Sequence, residues 1–271
     1  MVATARDQNA NATKILRLSI TGECNLNCFY CKPLGKAKDL FATKTPIQAS
    51  DVTKLVKIVG ELGVNKVLIS GGEPLLRKDA ANFVKAAYAH KAIQDVRLVT
   101  NGTFLKAFAD ALRKMGLRKV DINFDSLNFM KYQRITGRDS LYRVLDGIEK
   151  VEKLNYPSIR LNVLLLNEIN ENEVIDFARM SKDRPLHIRF IEYRPTVLSS
   201  DPNAQRLGLS VLTEKRAIDN FQNLIRDNDL DLEEEHPIPT YRFADGVGKI
   251  SFLSQMEVET EDSVPRLLFN A

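Results

Sequence analysis

Cysteine and histidine are scarce in this chain: its 271 residues include three of each. The cysteines, Cys24, Cys28 and Cys31, fall in one short segment, while His90, His187 and His236 lie far from it in sequence. A zinc site completed by a neighbouring histidine is therefore disfavoured, although ligands distant in sequence can converge in space. Long apolar runs are lacking as well. None approaches the ~20 residues that a membrane helix requires. The opening MVATARDQNANATK has no apolar core for a secretory signal, and residues 1–13 read as a mobile N-terminal arm. No repeat of solenoid period and no low-complexity linker is visible. Neither sign of charge dominates: 39 Lys and Arg stand against 35 Asp and Glu, for a net charge of +4. That balance gives no reason to expect a nucleic-acid partner, which calls for a concentrated basic patch. The acidic run at 227–235, DNDLDLEEE, reads as a solvated face or loop. The expected protein is soluble, with no membrane or nucleic-acid partner, and cytoplasmic, where thiols stay reduced.

A hydrophobic share of 44% gives a chain of this length enough apolar residues for a sizeable core. Short β-rich runs at 15–21, 66–70, 95–100, 118–124, 158–165 and 186–192 alternate with helical patterns at 49–62, 79–90, 104–115, 140–154 and 172–182. In the first helix, Val52, Leu55, Val56 and Val59 are spaced for one buried face, Ser50 and Asp51 supply a cap, and Gly63 a stop. Strand–helix alternation predicts an α/β fold, a parallel sheet with helices outside it. Six units fit a partial (β/α)6 TIM-type barrel, with a doubly wound open sheet as the competing architecture.

Side-chain alternation adds a second clue, because successive residues of a strand point to opposite faces. Arg17, Ser19 and Thr21 share one face of the first strand, opposite Leu16, Leu18 and Ile20. Lys66 and Ser70, Asp121 and Asn123, Arg160 and Asn162, and His187 and Arg189 form the matching polar faces of later strands. With helices covering the apolar set, the polar set points inward. An interior holding Arg17, Lys66, Arg160 and Arg189 is no dry core, since isolated buried charge is too costly. It suits a cavity for a small anionic ligand; the alternative is that these residues are solvated strand ends. Asp121, Asp125 and His187 are polar-face candidates for acid or base work, and no catalytic residue is singled out.

The three cysteines are spaced C-x3-C-x2-C. Soft thiolates suit zinc, copper(I) and iron–sulfur clusters. A closed zinc site wants four protein ligands and a cubane cluster has four irons, so three thiolates leave one position open. Further on, Gly71-Gly72-Glu73-Pro74 follows the second strand; its glycines let backbone pass close to a ligand, and Glu73 offers a carboxylate to a cationic group. Thr100-Asn101-Gly102 ends the third strand and reads as a strand-to-helix turn.

The segment TGECNLNCFYCKP, with Tyr30 before the third cysteine, resembles the cluster loop of radical S-adenosylmethionine (radical SAM) enzymes. The GGEP segment resembles that family's second motif. In order, ILRLSITGECNLNCFYC, LGVNKVLISGGEPLLRKD, RLVTNG, VDINFDSLN, LNVLLLNEINENEV and LHIRFIEYRP look like the GTP 3′,8-cyclase family of molybdenum-cofactor biosynthesis. The resemblance implies a barrel at 14–195, one 4Fe–4S cluster on Cys24, Cys28 and Cys31, and SAM bound at the open iron. It implies SAM contacts from Tyr30, Gly71, Gly72, Glu73, Pro74 and Asn123, and substrate contacts from Arg17, Lys66, Arg160 and Arg189. The implied activity is reductive cleavage of SAM to a 5′-deoxyadenosyl radical, which abstracts hydrogen from a small anionic substrate such as a purine nucleotide. An electron donor such as flavodoxin or ferredoxin is implied as a partner.

The sequence also departs from that family. Residues 196–271 form a C-terminal extension without the cysteines that hold the cyclases' second cluster, and the family's Gly-Gly tail is missing. Leu68 stands where the family has an arginine facing the nucleotide, Val99 where it has a threonine, Asn123 for a serine, Arg160 for a lysine and Arg194 for a methionine. Arg266 echoes an arginine beside the lost cluster. A non-nucleotide substrate is one alternative these departures leave open. An inactive metal-binding or scaffold protein is another.

Overall fold

The computed structural model describes residues 15–31, 47–192, 224–231 and 238–253; for 224–231 it describes the backbone alone. Arg194, His236 and Arg266 lie outside these residues. Nine strands form one sheet: β1 (Ile15–Ser19), β2 (Lys66–Ser70), β3 (Asp95–Thr100), β4 (Lys119–Asn123), β5 (Ser158–Leu165), β6 (His187–Glu192), β7 (Leu224–Asp231), β8 (Ile238–Phe243) and β9 (Lys249–Leu253). Their order is β1-β2-β3-β4-β5-β6-β9-β8-β7. Neighbours from β1 to β6, and β6 with β9, run parallel; β9–β8 and β8–β7 run antiparallel.

Helices α1 (Ala49–Glu61), α2 (Ala80–Ala87), α3 (Leu105–Lys114), α4 (Phe129–Thr136), α5 (Leu141–Lys153) and α6 (Val174–Asp183) fill the crossovers. The six parallel strands follow one another without the reversal of order that defines a doubly wound sheet. The partial barrel is therefore the architecture, as α/β alternation predicts. Three features differ from the sequence expectation. Helix α4 occupies a stretch in which no helix was expected: the Asn128 side chain caps its start by accepting from Lys131 N, and Gly137 ends it in the left-handed region. The C-terminal strands join the same sheet, with β9 extending the parallel set. The acidic run, expected as a solvated face or loop, begins inside strand β7.

The period-2 pattern decides which way each strand faces. Leu16, Leu18, Val67, Ile69, Val96, Leu98, Val120, Ile122, Leu161, Val163, Ile188 and Phe190 pack into one core with Val52 and Val56 of α1, Phe83 of α2, Leu112 of α3 and Val144 and Ile148 of α5. The opposite faces carry the polar side chains together with a few apolar ones such as Leu68, Val99 and Ile191, and these line the barrel interior.

Candidate functional site

The cysteine loop follows β1 and is held from two sides. On one side it continues the β1–β2 pairing: Gly72 N donates to Thr21 O at 2.7 Å, and Glu73 N to Glu23 O at 2.7 Å. The contact leaves no room for side chains. A Cβ on Gly71, whose φ is +153°, would lie 2.5 Å from Thr21 O, and one on Gly72 would lie 2.2 Å from Glu23 O. The close backbone approach expected of these glycines is thus, first of all, an approach to the cysteine loop. Pro74 is buried at the head of a 3-10 turn (Pro74–Leu76), a place where its missing N–H goes unneeded. On the other side, Asn27 N donates to Thr136 O at 2.8 Å and Phe29 N to Ile135 O at 3.2 Å, so the loop satisfies carbonyls left over at the end of α4.

The three thiols are free, Cys24 and Cys31 exposed and Cys28 half-buried, and Cys31 N donates to Cys28 O at 3.2 Å in a tight turn. Beneath them, Tyr30 OH donates to Asp125 Oδ2 at 2.6 Å, and Leu164 N donates to Asp125 Oδ1 at 2.9 Å. Burial pushes the Asp125 carboxyl up to about 6. Burial, then Asp125 and the neighbouring Cys31, push the Cys28 thiol up to about 12; burial, Cys24 and Asp125 raise Cys31. Such surroundings disfavour bare thiolates, and a cationic iron centre bound among them would reverse that preference. Among the described residues no three His, Cys, Asp or Glu side chains are grouped as ligands of one metal ion. His90 instead reaches Glu61, and His187 reaches Ser251 inside the barrel. Each thiolate of a cluster binds a different iron, so a cluster does not require the sulfurs to crowd around one ion. Three free thiols on one pinned loop fit a 4Fe–4S cluster with one open iron.

Glu73 is 0% exposed. Its Oε1 accepts from Leu75 N at 2.9 Å and Thr100 Oγ1 at 2.7 Å, and its Oε2 from Asn101 N at 2.7 Å. Its carboxylate thus ties the GGEP turn to the end of β3. Thr100-Asn101-Gly102, expected to be a plain turn, also does more. Asn101 Nδ2 donates to Asn25 Oδ1 at 3.0 Å and lies 3.8 Å from Cys24 Sγ, facing it. Nothing in the spacing signals this, because it depends on where the loop folds back. Asn123 ends β4, exposed, and its Oδ1 accepts from Asn162 Nδ2 at 3.1 Å.

Inside the barrel, a cavity is lined by Arg17, Lys66, Arg160 and Arg189 together, with Arg97, Asp95 and Asp121 among them. The structure thus brings the four expected cations to one place. It adds a correction: they do not face one another as an all-cationic cluster. Arg97 and Asp121 form a buried ion pair, and Arg189 Nη1 lies 3.9 Å from Asp121 Oδ2. Asp95 accepts from Lys119 Nζ at 2.8 Å. Five cationic side chains against two carboxylates still leave the described lining net positive. His187, nearby, is held well below its ordinary pKa by burial and then by Arg160, Arg189, Arg97 and Lys249. The apolar part of the lining includes Leu68, Val99, Ile191 and Leu253.

The family model described as the radical SAM superfamily matches residues 18–181. The chain belongs to the radical SAM superfamily. It is 32% identical over 264 residues to a protein named GTP 3′,8-cyclase from Alkaliphilus metalliredigens, covering 97% of this chain and 79% of the relative. It is 39% identical over 180 residues to one so named from Lactiplantibacillus plantarum, covering 66% and 54%. It is also 41% identical over 180 residues to molybdenum cofactor biosynthesis protein moc-5 of Caenorhabditis elegans, covering 66% and 30%. Several relatives are thus matched over little more than half of their length or less. Among solved structures, TYW1 with a lysine-pyruvate adduct bound matches with a TM-score of 0.54 at 16% identity, covering 80% of this chain and 76% of that one. Streptococcus suis SuiB bound to S-adenosylmethionine matches with a TM-score of 0.54 at 18% identity, covering 69% and 42%. At these identities the structures speak for the radical SAM fold alone. No helix among the described residues is long and apolar enough to cross a membrane.

Proposed function

We propose that this chain holds one 4Fe–4S cluster on Cys24, Cys28 and Cys31, binds SAM at its open iron, and acts on a small anionic substrate in the barrel cavity. When bound, cluster and SAM supply a 5′-deoxyadenosyl radical for hydrogen abstraction. The chain's own residues then have three tasks. The pinned loop holds the thiolates at the C-terminal end of the strands, where barrel active sites lie. Tyr30, Gly71, Gly72, Glu73, Pro74 and Asn123 shape the SAM position, Glu73 through the turn it ties down. Arg17, Lys66, Arg160 and Arg189 bind and orient the substrate anion below. The observation that carries this reading is the convergence of those four cations on one cavity. An electron donor of the flavodoxin or ferredoxin kind completes the reading.

The apolar side chains of Leu68 and Val99 in that cavity favour a second reading of the substrate, an anion other than a nucleotide triphosphate. Anaerobic reconstitution with iron and sulfide tests the whole reading: about four irons per chain, an optical change on adding SAM, and 5′-deoxyadenosine after reduction are expected. Tight zinc binding with no cluster absorbance would identify a metal-binding or scaffold protein instead. Addition of GTP to the reconstituted protein separates the two substrate readings, since coupled turnover sinks the second.

A further inference from the structure

The Asn101 side chain has one orientation compatible with its neighbours. Its Oδ1 accepts from Thr103 N at 3.0 Å and from Thr103 Oγ1 at 2.7 Å, so the amide oxygen is fixed toward α3. Its Nδ2 must then face the cysteine loop, where it donates to Asn25 Oδ1 at 3.0 Å and points at Cys24 Sγ at 3.8 Å. Asn25 Nδ2 returns a bond to Thr103 Oγ1 at 3.0 Å, closing the ring, and the Asn101 backbone N–H is anchored on Glu73. Asn101 is buried, and sulfur is a weak acceptor that gains most when it carries negative charge.

The geometry points to Asn101 as a positioning residue that stabilises the reduced state of the cluster by donating an N–H to the Cys24 thiolate. This inference rests on the cluster reading above. Adding an electron raises the negative charge on the cluster and its thiolates, so a donor aimed at one sulfur favours the reduced form and raises the reduction potential. The amide donor thus falls on Cys24.

The test is a dithionite titration of the reconstituted cluster followed by electron paramagnetic resonance, without SAM turnover. Asn101→Leu removes the donor, and its midpoint potential is expected to be more negative than that of the unaltered protein. Asn25→Ala leaves Nδ2 with Cys24 as its one remaining acceptor in this ring, and its potential is expected to stay level or rise. A purely structural role for the ring would move both variants the same way. If Asn101→Leu fails to hold iron, Thr103→Val, which loosens the amide without removing it, should give a smaller negative shift. An unchanged potential in a cluster-loaded Asn101→Leu protein, or equal negative shifts in Asn101→Leu and Asn25→Ala, overturns the inference. Failure of the unaltered protein to take up iron overturns the cluster reading and the inference with it. Normal iron content with an unmoved potential overturns the inference alone.

Discussion

Leu68 and Arg97 are register partners on β2 and β3, and both line the cavity. Arg17 is the partner of Leu68 on its other side, so one row across three strands reads arginine, leucine, arginine. The leucine separates two cations that would repel at adjacent positions. Arg97 is matched in turn by Asp121, two strand positions further along. The cavity therefore contains its own counter-charge.

Asp121→Ala should destabilise the protein and make it responsive to anions. The substitution leaves Arg97 buried without its carboxylate, and breaking a buried pair in this way costs about 3–5 kcal/mol. An anion entering the cavity can replace the lost charge. Added inorganic phosphate should raise the melting temperature of Asp121→Ala more than that of the unaltered protein. Equal phosphate responses would mean that the pair does not belong to the anion site.

Arg189 should separate substrate handling from SAM handling. It lies inside the barrel near Asp121 and Asn162, away from the cysteine loop. Arg189→Ala is expected to raise KM or abolish coupled turnover, while 5′-deoxyadenosine formation without substrate largely survives. Parallel loss of both activities would place Arg189 in the SAM site or in the fold instead.

Gly72→Ala should lose iron while keeping its secondary structure. The new methyl group would stand 2.2 Å from Glu23 O and 2.9 Å from Gly22 O, both backbone atoms of the cysteine loop. The loop must shift, because neither atom belongs to a flexible side chain. The expected result is a near-native circular dichroism spectrum with iron well below the unaltered protein after identical reconstitution. Unreduced iron content would show that the loop can move without losing the cluster.

Much of this was legible in the sequence, and the gaps have physical causes. Period-2 patterning assigned Arg17, Lys66, Arg160 and Arg189 to interior faces, because it depends only on neighbours within a strand. The Arg97–Asp121 pair was not legible: Arg97 is in register with Lys119, and Asp121 with Val99, so their contact depends on stagger across the barrel. Helix α4 escaped because only Tyr132, Ile135 and Thr136 of its eight residues are buried, too few for a clear helical period. The roles of Glu73 and Asn101 arise where separate loops meet, which spacing along the chain does not encode.

His187 should govern part of the acid sensitivity of the fold. Its folded-state pKa is depressed by burial and by Arg160, Arg189, Arg97 and Lys249, and the ring is engaged with Ser251 Oγ at 2.7 Å. In the unfolded chain a histidine protonates near its ordinary value of about 6.5. Below that pH the unfolded state binds a proton that the folded state refuses, so stability falls with falling pH until the depressed folded pKa is reached. The slope approaches about 1.4 kcal/mol per pH unit for one such group. Denaturant unfolding at pH 7.5 and 5.5 should therefore show a smaller loss for His187→Gln than for the unaltered protein. Gln keeps a polar partner for Ser251 but cannot protonate in this range. The same loss in both proteins would assign the acid sensitivity to other groups.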